Sequence, residues 1–320
     1  MTSDGRKPPL LVLLGPTAVG KTKLSLELAM RHKGEIISGD SMQVYRGMDI
    51  GTAKASEAER ALVPHHLIDI CDPDEPFSAA DFQRAASERI ADIAGRGKLP
   101  MLVGGTGLYI ESLCYGFRFV DAGSDEALRQ ALNDYAEQNG DEALHDMLRQ
   151  VDPAAAERLH PNDRRRVIRA IEIERLTGKP MSEHQAGQKK QSPYECYFIG
   201  LTMDRALLYQ RIEQRIDAML EEGLVEEVRR LLRAGYSTTL TSMQGLGYKE
   251  IAAYLQGGMS YDEAVSLLKM STRRFAKRQL SWFRHMPDID WYDVTDPEKF
   301  IQQVPNIHGI IAGKFGGQRE

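Results

Sequence analysis

Residues 15–22 read GPTAVGKT, directly after the apolar run LLVLL and directly before a helical pattern. No other stretch of the chain leaves so few folds open. It matches G-x-x-x-x-G-K-[S/T] at every defined position, and it stands between strand and helix, where such a loop wraps phosphate oxygens. Gly15 and Gly20 let successive backbone N–H groups turn inward, and the helix that starts near Lys21 adds the positive end of its dipole. Gly15, Pro16, Thr17, Ala18, Val19, Gly20, Lys21 and Thr22 therefore read as a diphosphate-binding set. Lys21 reaches a terminal phosphate as a point charge, and the Thr22 hydroxyl is placed for Mg²⁺.

Over residues 1–118 short apolar runs alternate with helical patterns, as in a parallel sheet covered by helices. LLVLLG, GEIISGD and LPMLVGG read as strands; KTKLSLELAMRH and FSAADFQRAASERIADIAGRGK read as helices, the second capped by Ser78. Residues 119–191 carry charged helical stretches without convincing strands, and YECYFIGLTM at 194–203 looks like a return to the sheet. Residues 192–320 are then a continuation of the core with C-terminal helices, ending in a GKFGGQRE tail expected to fray. The expected fold class is α/β: a P-loop NTPase-like parallel sheet core with helices on both faces and an all-helical insertion domain.

A formal charge of −5 argues against a uniformly basic nucleic-acid binder but leaves room for local basic patches. The three cysteines lie far apart without zinc-site spacing and are expected to be reduced, buried thiols. No segment approaches the roughly 20 apolar residues of a membrane span, so a cytoplasmic protein is expected.

A nucleotide hydrolase usually carries a carboxylate at the end of a second apolar strand to hold its metal. LPMLVGG ends instead in Gly104, Gly105 and Thr106. GEIISGD does end in an acid, Asp40, but Ser41, Met42, Gln43, Val44 and Tyr45 follow it, which suits a recognition loop. Ligands of open parallel sheets bind at the carboxyl ends of strands, so Asp40 and Thr106 should flank a bound diphosphate. A structural helix N-cap is the other reading of either residue. A lone carboxylate beside a gripped diphosphate suits alkyl transfer, in which a nucleophile attacks the carbon attached to the diphosphate and pyrophosphate departs. The loop, Lys21 and magnesium would stabilise the leaving group, while Asp40 takes a proton from a weak nucleophile.

In chain order, GPTAVGKT, GDSMQVYRGMDIGTAK (39–54), PHHLIDICDPDEPFSAADF (64–82), LVGGTGLYI (102–110), RLHPNDRRRVIRAIEI (158–173), RIEQRIDAML (211–220), GLGYKE (245–250) and TRRFAKRQLSWFR (272–284) resemble the bacterial tRNA dimethylallyltransferases, also called tRNA isopentenyltransferases. The likeness runs over nearly the whole chain. It implies transfer of a dimethylallyl group from dimethylallyl diphosphate to the exocyclic amine of adenosine at tRNA position 37, with Mg²⁺ as cofactor and pyrophosphate as product. Asp40 matches the family's general base and Thr106 its active-site threonine. Lys21 and Arg215 match the basic residues that neutralise pyrophosphate, with Arg211 one helical turn before Arg215. Asp40, Ser41, Met42 and Gln43 match the segment that meets the extruded base, Gln43 offering an amide to an adenine edge. Gln244 and Lys249, around GLGYKE, fall on the same tRNA-facing set. The 119–191 region would be the mobile lobe that closes on the anticodon stem-loop, and the protein is expected to be monomeric.

Two basic clusters are candidates for RNA phosphates. One is Arg164, Arg165, Arg166 and Arg169; the other is Arg273, Arg274, Lys277, Arg278 and Arg284, with Ala276, Leu280 and Phe283 as its apolar face. Solvated helix faces are the plainer reading of both. The rival functions are a nucleotide kinase or adenylate prenyltransferase acting on free nucleotides, and a non-catalytic RNA-binding P-loop protein.

Overall fold

The computed structural model describes residues 7–120, 122–187 and 191–316. The chain separates into two compact units, one built from the segments up to Gly116 and from Ser192 onward, the other from Phe117–Gln191. In chain order the larger unit contributes β1 (Pro9–Leu14), α1 (Lys21–His32), β2 (Gly34–Gly39), α2 (Glu57–Leu62), β3 (His65–His66), α3 (Ala79–Gly95), β4 (Leu99–Gly104) and α4 (Gly107–Cys114). The smaller unit holds α5 (Glu126–Asn139), α6 (Asp141–Val151), α7 (Pro153–Ala156), α8 (Arg164–Thr177) and α9 (Met181–Gln185). The larger unit resumes with β5 (Glu195–Thr202), α10 (Arg205–Glu221), α11 (Leu224–Arg233), α12 (Tyr248–Leu255), α13 (Tyr261–Phe283), β6 (Ile289–Asp293) and α14 (Pro297–Phe315).

Six strands pair in the order β3-β2-β4-β1-β5-β6, every pairing parallel. β1 lies between β4 and β5 with Leu10–Leu14 all buried, which is why it reads as an unbroken apolar run rather than an alternating one. At the carboxyl edge Leu14 and Gly39 both lie in register with Gly104. A Cβ on Gly104 would sit 2.3 Å from the Gly39 carbonyl oxygen, so paired glycines permit this approach. The three segments that follow, 15–20, 40–43 and 105–106, consequently emerge side by side.

Local signals explain the helices around this edge. Gly20 takes φ 107° at the N-terminus of α1, a left-handed conformation that a residue without Cβ adopts at no steric cost. Ser78 and Asp81 form a reciprocal capping box at the start of α3. The smaller unit packs Leu132, Leu144, Leu148, Val167 and Ile171 into its own core. Its buried Glu172 accepts hydrogen bonds from Arg129, Arg169 and the Asp125 backbone N–H.

Three features depart from the sequence reading. β3 has two residues, and β6, IDWYD, follows Pro287 and Asp288 and carries acids at 290 and 293, so neither reads as a strand. The expected fraying of 313–320 fails for Gly313–Phe315, which end α14 with Phe315 in the core; residues 317–320 lie outside the described residues. Of the three free cysteines only Cys114 is buried, while Cys71 and Cys196 are partly exposed. Among the described residues no helix is long and apolar enough to cross a membrane.

Candidate active site

The three strand ends close around a cavity of about 490 Å³ lined by Thr17, Gly20, Lys21, Thr22, Asp40, Arg211, Arg215, Phe275 and Gln279. A second cavity of about 300 Å³ shares Thr17, Ala18, Asp40, Arg215 and Phe275 with the first. It runs past Ser41, Met42 and Thr106 to an apolar wall of Ile212, Ile216, Met219, Leu224 and Leu268, with Gln244, Lys249 and Arg278 as polar lining. Asp40 and Arg215 thus face both spaces.

Lys21 Nζ donates to the carbonyl oxygens of Gly15 at 2.9 Å and Pro16 at 2.8 Å. Burial, with the Arg215 charge adding to it and Asp40 opposing, pushes its pKa down to about 7. Arg215 is lowered by burial while Asp40 and Glu222 act the other way. The desolvated Lys21 and Arg215 side chains are both stabilised in their charged forms by added negative charge, which an entering diphosphate supplies.

Asp40 accepts a hydrogen bond from Met42 N–H at 2.8 Å on one carboxylate oxygen. It caps no helix. Thr106 does occupy the N-cap position of α4, yet its side chain makes no capping bond; its Oγ1 accepts from Ser41 N–H at 3.0 Å. The N-cap alternative accounts for neither side chain.

Gln43 differs from its sequence reading. Its Oε1 accepts from Ser38 Oγ at 2.8 Å, and its Nε2 donates to the carbonyls of Thr52 and Ala53 at 3.2 and 3.3 Å. It lines the first cavity, the phosphate-side one walled by the loop, and its amide braces the chain's own 52–53 loop.

That loop is held from behind by a residue the sequence did not single out. Glu227 on α11 is buried and accepts from the backbone N–H groups of Asp49, Ile50 and Gly51 and from the Tyr248 hydroxyl at 2.6 Å. Burial, with the adjoining Glu227 charge, pushes the Tyr248 pKa up, so the hydroxyl stays a donor. Gly51 lies against the Tyr248 ring, where a Cβ would come within 2.6 Å. Glu227→Ala strands four donors and is expected to cost about 3 kcal/mol, lowering the melting temperature by roughly 6–12 °C. Glu227→Gln, which keeps one acceptor oxygen, should recover part of the loss; a thermal scan unmoved by the alanine would remove Glu227 from this role.

The basic clusters divide. In the smaller unit Arg164 pairs with Asp141 at 2.6 Å and Arg169 with Glu172 at 2.6 Å, while Arg165 and Arg166 are exposed, Arg166 lying 3.4 Å from Asp163. In the larger unit Arg273 is paired with Glu213 and lies over the Tyr209 ring. Arg278 lines the second cavity, whereas Lys277 and Arg284 line a separate cavity of about 330 Å³ with Arg205. The basic residues of α13 are thus divided between two cavities, with Lys277 and Arg284 on one and Arg278 on the other. Gln279, between them, is buried and belongs to the phosphate-side cavity. A glutamine in step with Ala276 and Phe283 was the available signal for it.

Known proteins similar to this chain point to one family. The family model described as IPP transferase matches residues 43–286, and that described as isopentenyl transferase matches residues 8–65. The tRNA dimethylallyltransferase of Geobacillus thermodenitrificans is 55% identical over 306 residues, covering 96% of this chain and 97% of that protein. That of Bacillus subtilis is 50% identical over 312 residues, covering 98% and 99%. Among solved structures, the full-length tRNA isopentenylpyrophosphate transferase of Bacillus halodurans superposes with TM-score 0.73 at 50% identity, covering 97% of this chain and 98% of that one. A eukaryotic dimethylallyltransferase acting on tRNA superposes with TM-score 0.82 at 32% identity, covering 98% and 80%. With relatives matched over nearly their whole length and a family model spanning most of the sequence, the chain belongs to the IPP transferase family, the tRNA dimethylallyltransferases.

Proposed function

We propose that this protein transfers the dimethylallyl group of dimethylallyl diphosphate to the exocyclic amine of adenosine 37 in the tRNA anticodon loop. The observation that carries the reading is that Asp40 and Arg215 line both cavities, one walled by the phosphate loop and the other largely apolar. The diphosphate occupies the loop side, and the five-carbon chain points toward the apolar side. A stacked base cannot reach so enclosed a carbon, so the adenine enters extruded from the loop, past Met42 and Arg278.

An adenine amine delocalises its lone pair into the ring and is a poor nucleophile. Asp40 accepts a proton from it as nitrogen bonds to the first carbon of the dimethylallyl chain. The bond from that carbon to the bridging oxygen breaks, and both electrons leave with pyrophosphate. Lys21, Arg215, Arg211 and the loop N–H groups stabilise the developing charge, and the Thr106 hydroxyl lies at the same strand edge to hydrogen-bond the bridging oxygen.

Thr22 opens α1 with its hydroxyl exposed to the phosphate-side cavity that Asp40 also lines. Among the described residues no cluster of three acidic, histidine or cysteine side chains surrounds it. One hydroxyl suits an ion held mainly by diphosphate oxygens and water, as Mg²⁺ is, and Thr22 would hold it. Bound there, Mg²⁺ supplies neutralisation of the leaving diphosphate.

The test incubates the purified protein with radiolabelled dimethylallyl diphosphate, Mg²⁺ and unmodified tRNA, alongside AMP and an acceptor-free control. Label is expected in tRNA alone and without ATP. Label in AMP would move the protein to prenylation of free nucleotides, and ATP-dependent phosphorylation without transfer would make it a kinase.

A further inference from the structure

Two motifs far apart in the sequence, LVGGTG and KRQLSWF, meet at the edge of the site through one side chain. Gln279 on α13 is buried, with 6% of its surface exposed. Its Oε1 accepts from Thr17 N–H at 2.9 Å, and its Nε2 donates to the Gly105 carbonyl at 2.9 Å. One amide therefore bridges the phosphate loop after β1 to the segment after β4. The fit requires two glycines of the LVGGTG segment: a Cβ on Gly105 would lie 2.3 Å from Gln279 Nε2, and one on Gly107 would lie 2.6 Å from the Trp282 ring. Trp282 Nε1 donates in turn to Glu111 at 3.0 Å, so α13 is fastened to α4 one turn beyond the amide.

The direction of the Thr17 N–H matters. A phosphate loop binds through N–H groups aimed into its concavity, and Thr17 aims its own at Gln279 instead. The Thr17 peptide plane is thus set by α13, and with it the orientation of the peptides on either side.

We propose that Gln279 is a positioning residue that fixes the shape of the diphosphate loop from the wall of the phosphate-side cavity, so that it governs affinity for the donor's diphosphate without touching the acceptor. The inference rests on the transfer reading for the identity of the donor, but its measurement does not need turnover. Lost hydrogen bonds to a buried loop weaken it through the loop's own conformational freedom, and the loss appears in ground-state binding of every diphosphate alike.

The experiment titrates inorganic pyrophosphate, with magnesium chloride present, into the wild-type protein and the Gln279→Met variant by calorimetry, beside steady-state kinetics. Methionine keeps the volume and removes both hydrogen bonds. Pyrophosphate affinity is expected to fall about 10-fold, with KM for dimethylallyl diphosphate rising alike and kcat within about threefold. Binding of an anticodon stem-loop RNA is expected to be unchanged. Gly105→Ala, which displaces the amide without altering it, should reproduce the same split and decides the matter if the methionine variant does not fold. Unchanged pyrophosphate affinity in the folded variants, or a fall in kcat with KM intact, would overturn the proposal. Absence of transfer by wild type, with pyrophosphate binding still sensitive to Gln279, would overturn the transfer reading and leave this one standing.

Discussion

Replacing Asp40 with alanine is expected to slow transfer about 10²–10⁴-fold at saturating donor and tRNA, with tRNA affinity changed by no more than about threefold. The size follows from the nucleophile: without an acceptor for its proton, the amine must develop positive charge beside Arg215 and Lys21. Asp40 also holds Met42 N–H, so alanine removes two things at once. Asp40→Asn separates them, because an amide oxygen still closes the turn but takes no proton. If proton transfer is the role, asparagine is as slow as alanine. Recovery of most of the rate by asparagine would assign Asp40 to loop geometry instead.

Lys21→Met should be nearly as damaging, lowering kcat/KM about 10²–10³-fold, since a point charge aimed at a departing phosphate is lost from a water-poor site. This lysine also carries a pH signature. Burial holds its pKa at about 7 against the ordinary 10.5. Between those values the unfolded chain holds a proton that the folded chain has shed, so the unliganded protein gains stability as pH rises through that window. Diphosphate restores the charge. Binding of pyrophosphate at pH 8 should therefore draw up close to one proton, measured by calorimetry in buffers of different ionisation enthalpy, and affinity should fall as pH climbs above 7. The methionine variant supplies the control: an uptake that persists in it would belong to the pyrophosphate or to another group.

What the sequence disclosed tracks how local the cause is. The loop, Asp40 and Thr106 stand at the ends of strongly apolar strands, so type, spacing and position are all written within short stretches. Met42 and Arg278, which line the largely apolar cavity, are legible by a different route, because the resemblance covers contiguous blocks that contain them. Gln43 misled because an amide looks alike whether it faces a ligand or a backbone, and its engagement with Thr52 and Ala53 depends on a loop held by Glu227. Glu227 itself sits in an ordinary amphipathic helix, LVEEVRRLLR, where a glutamate reads as solvated. Gln279 and the glycines it requires are separated by about 174 residues. The arginines of the smaller unit show the same limit, since Arg169 belongs to Glu172, whose burial no spacing announces.

The order of the sheet decides how late in synthesis it can be completed. β1 pairs with β4 on one side, but its other neighbour is β5, and Pro9 lies opposite Glu195. The ribosome must add 186 residues (195 − 9) between those partners, which at typical elongation rates takes about ten to forty seconds. For that interval PLLVLL, the most apolar strand of the chain, presents an unpaired edge. The helical unit, encoded within the gap, has its own core and can close while the strand waits. A nascent chain whose residues up to about 191 have left the ribosome would therefore carry a finished helical unit attached to an open sheet, and a holding chaperone would find its target at the first strand rather than the last.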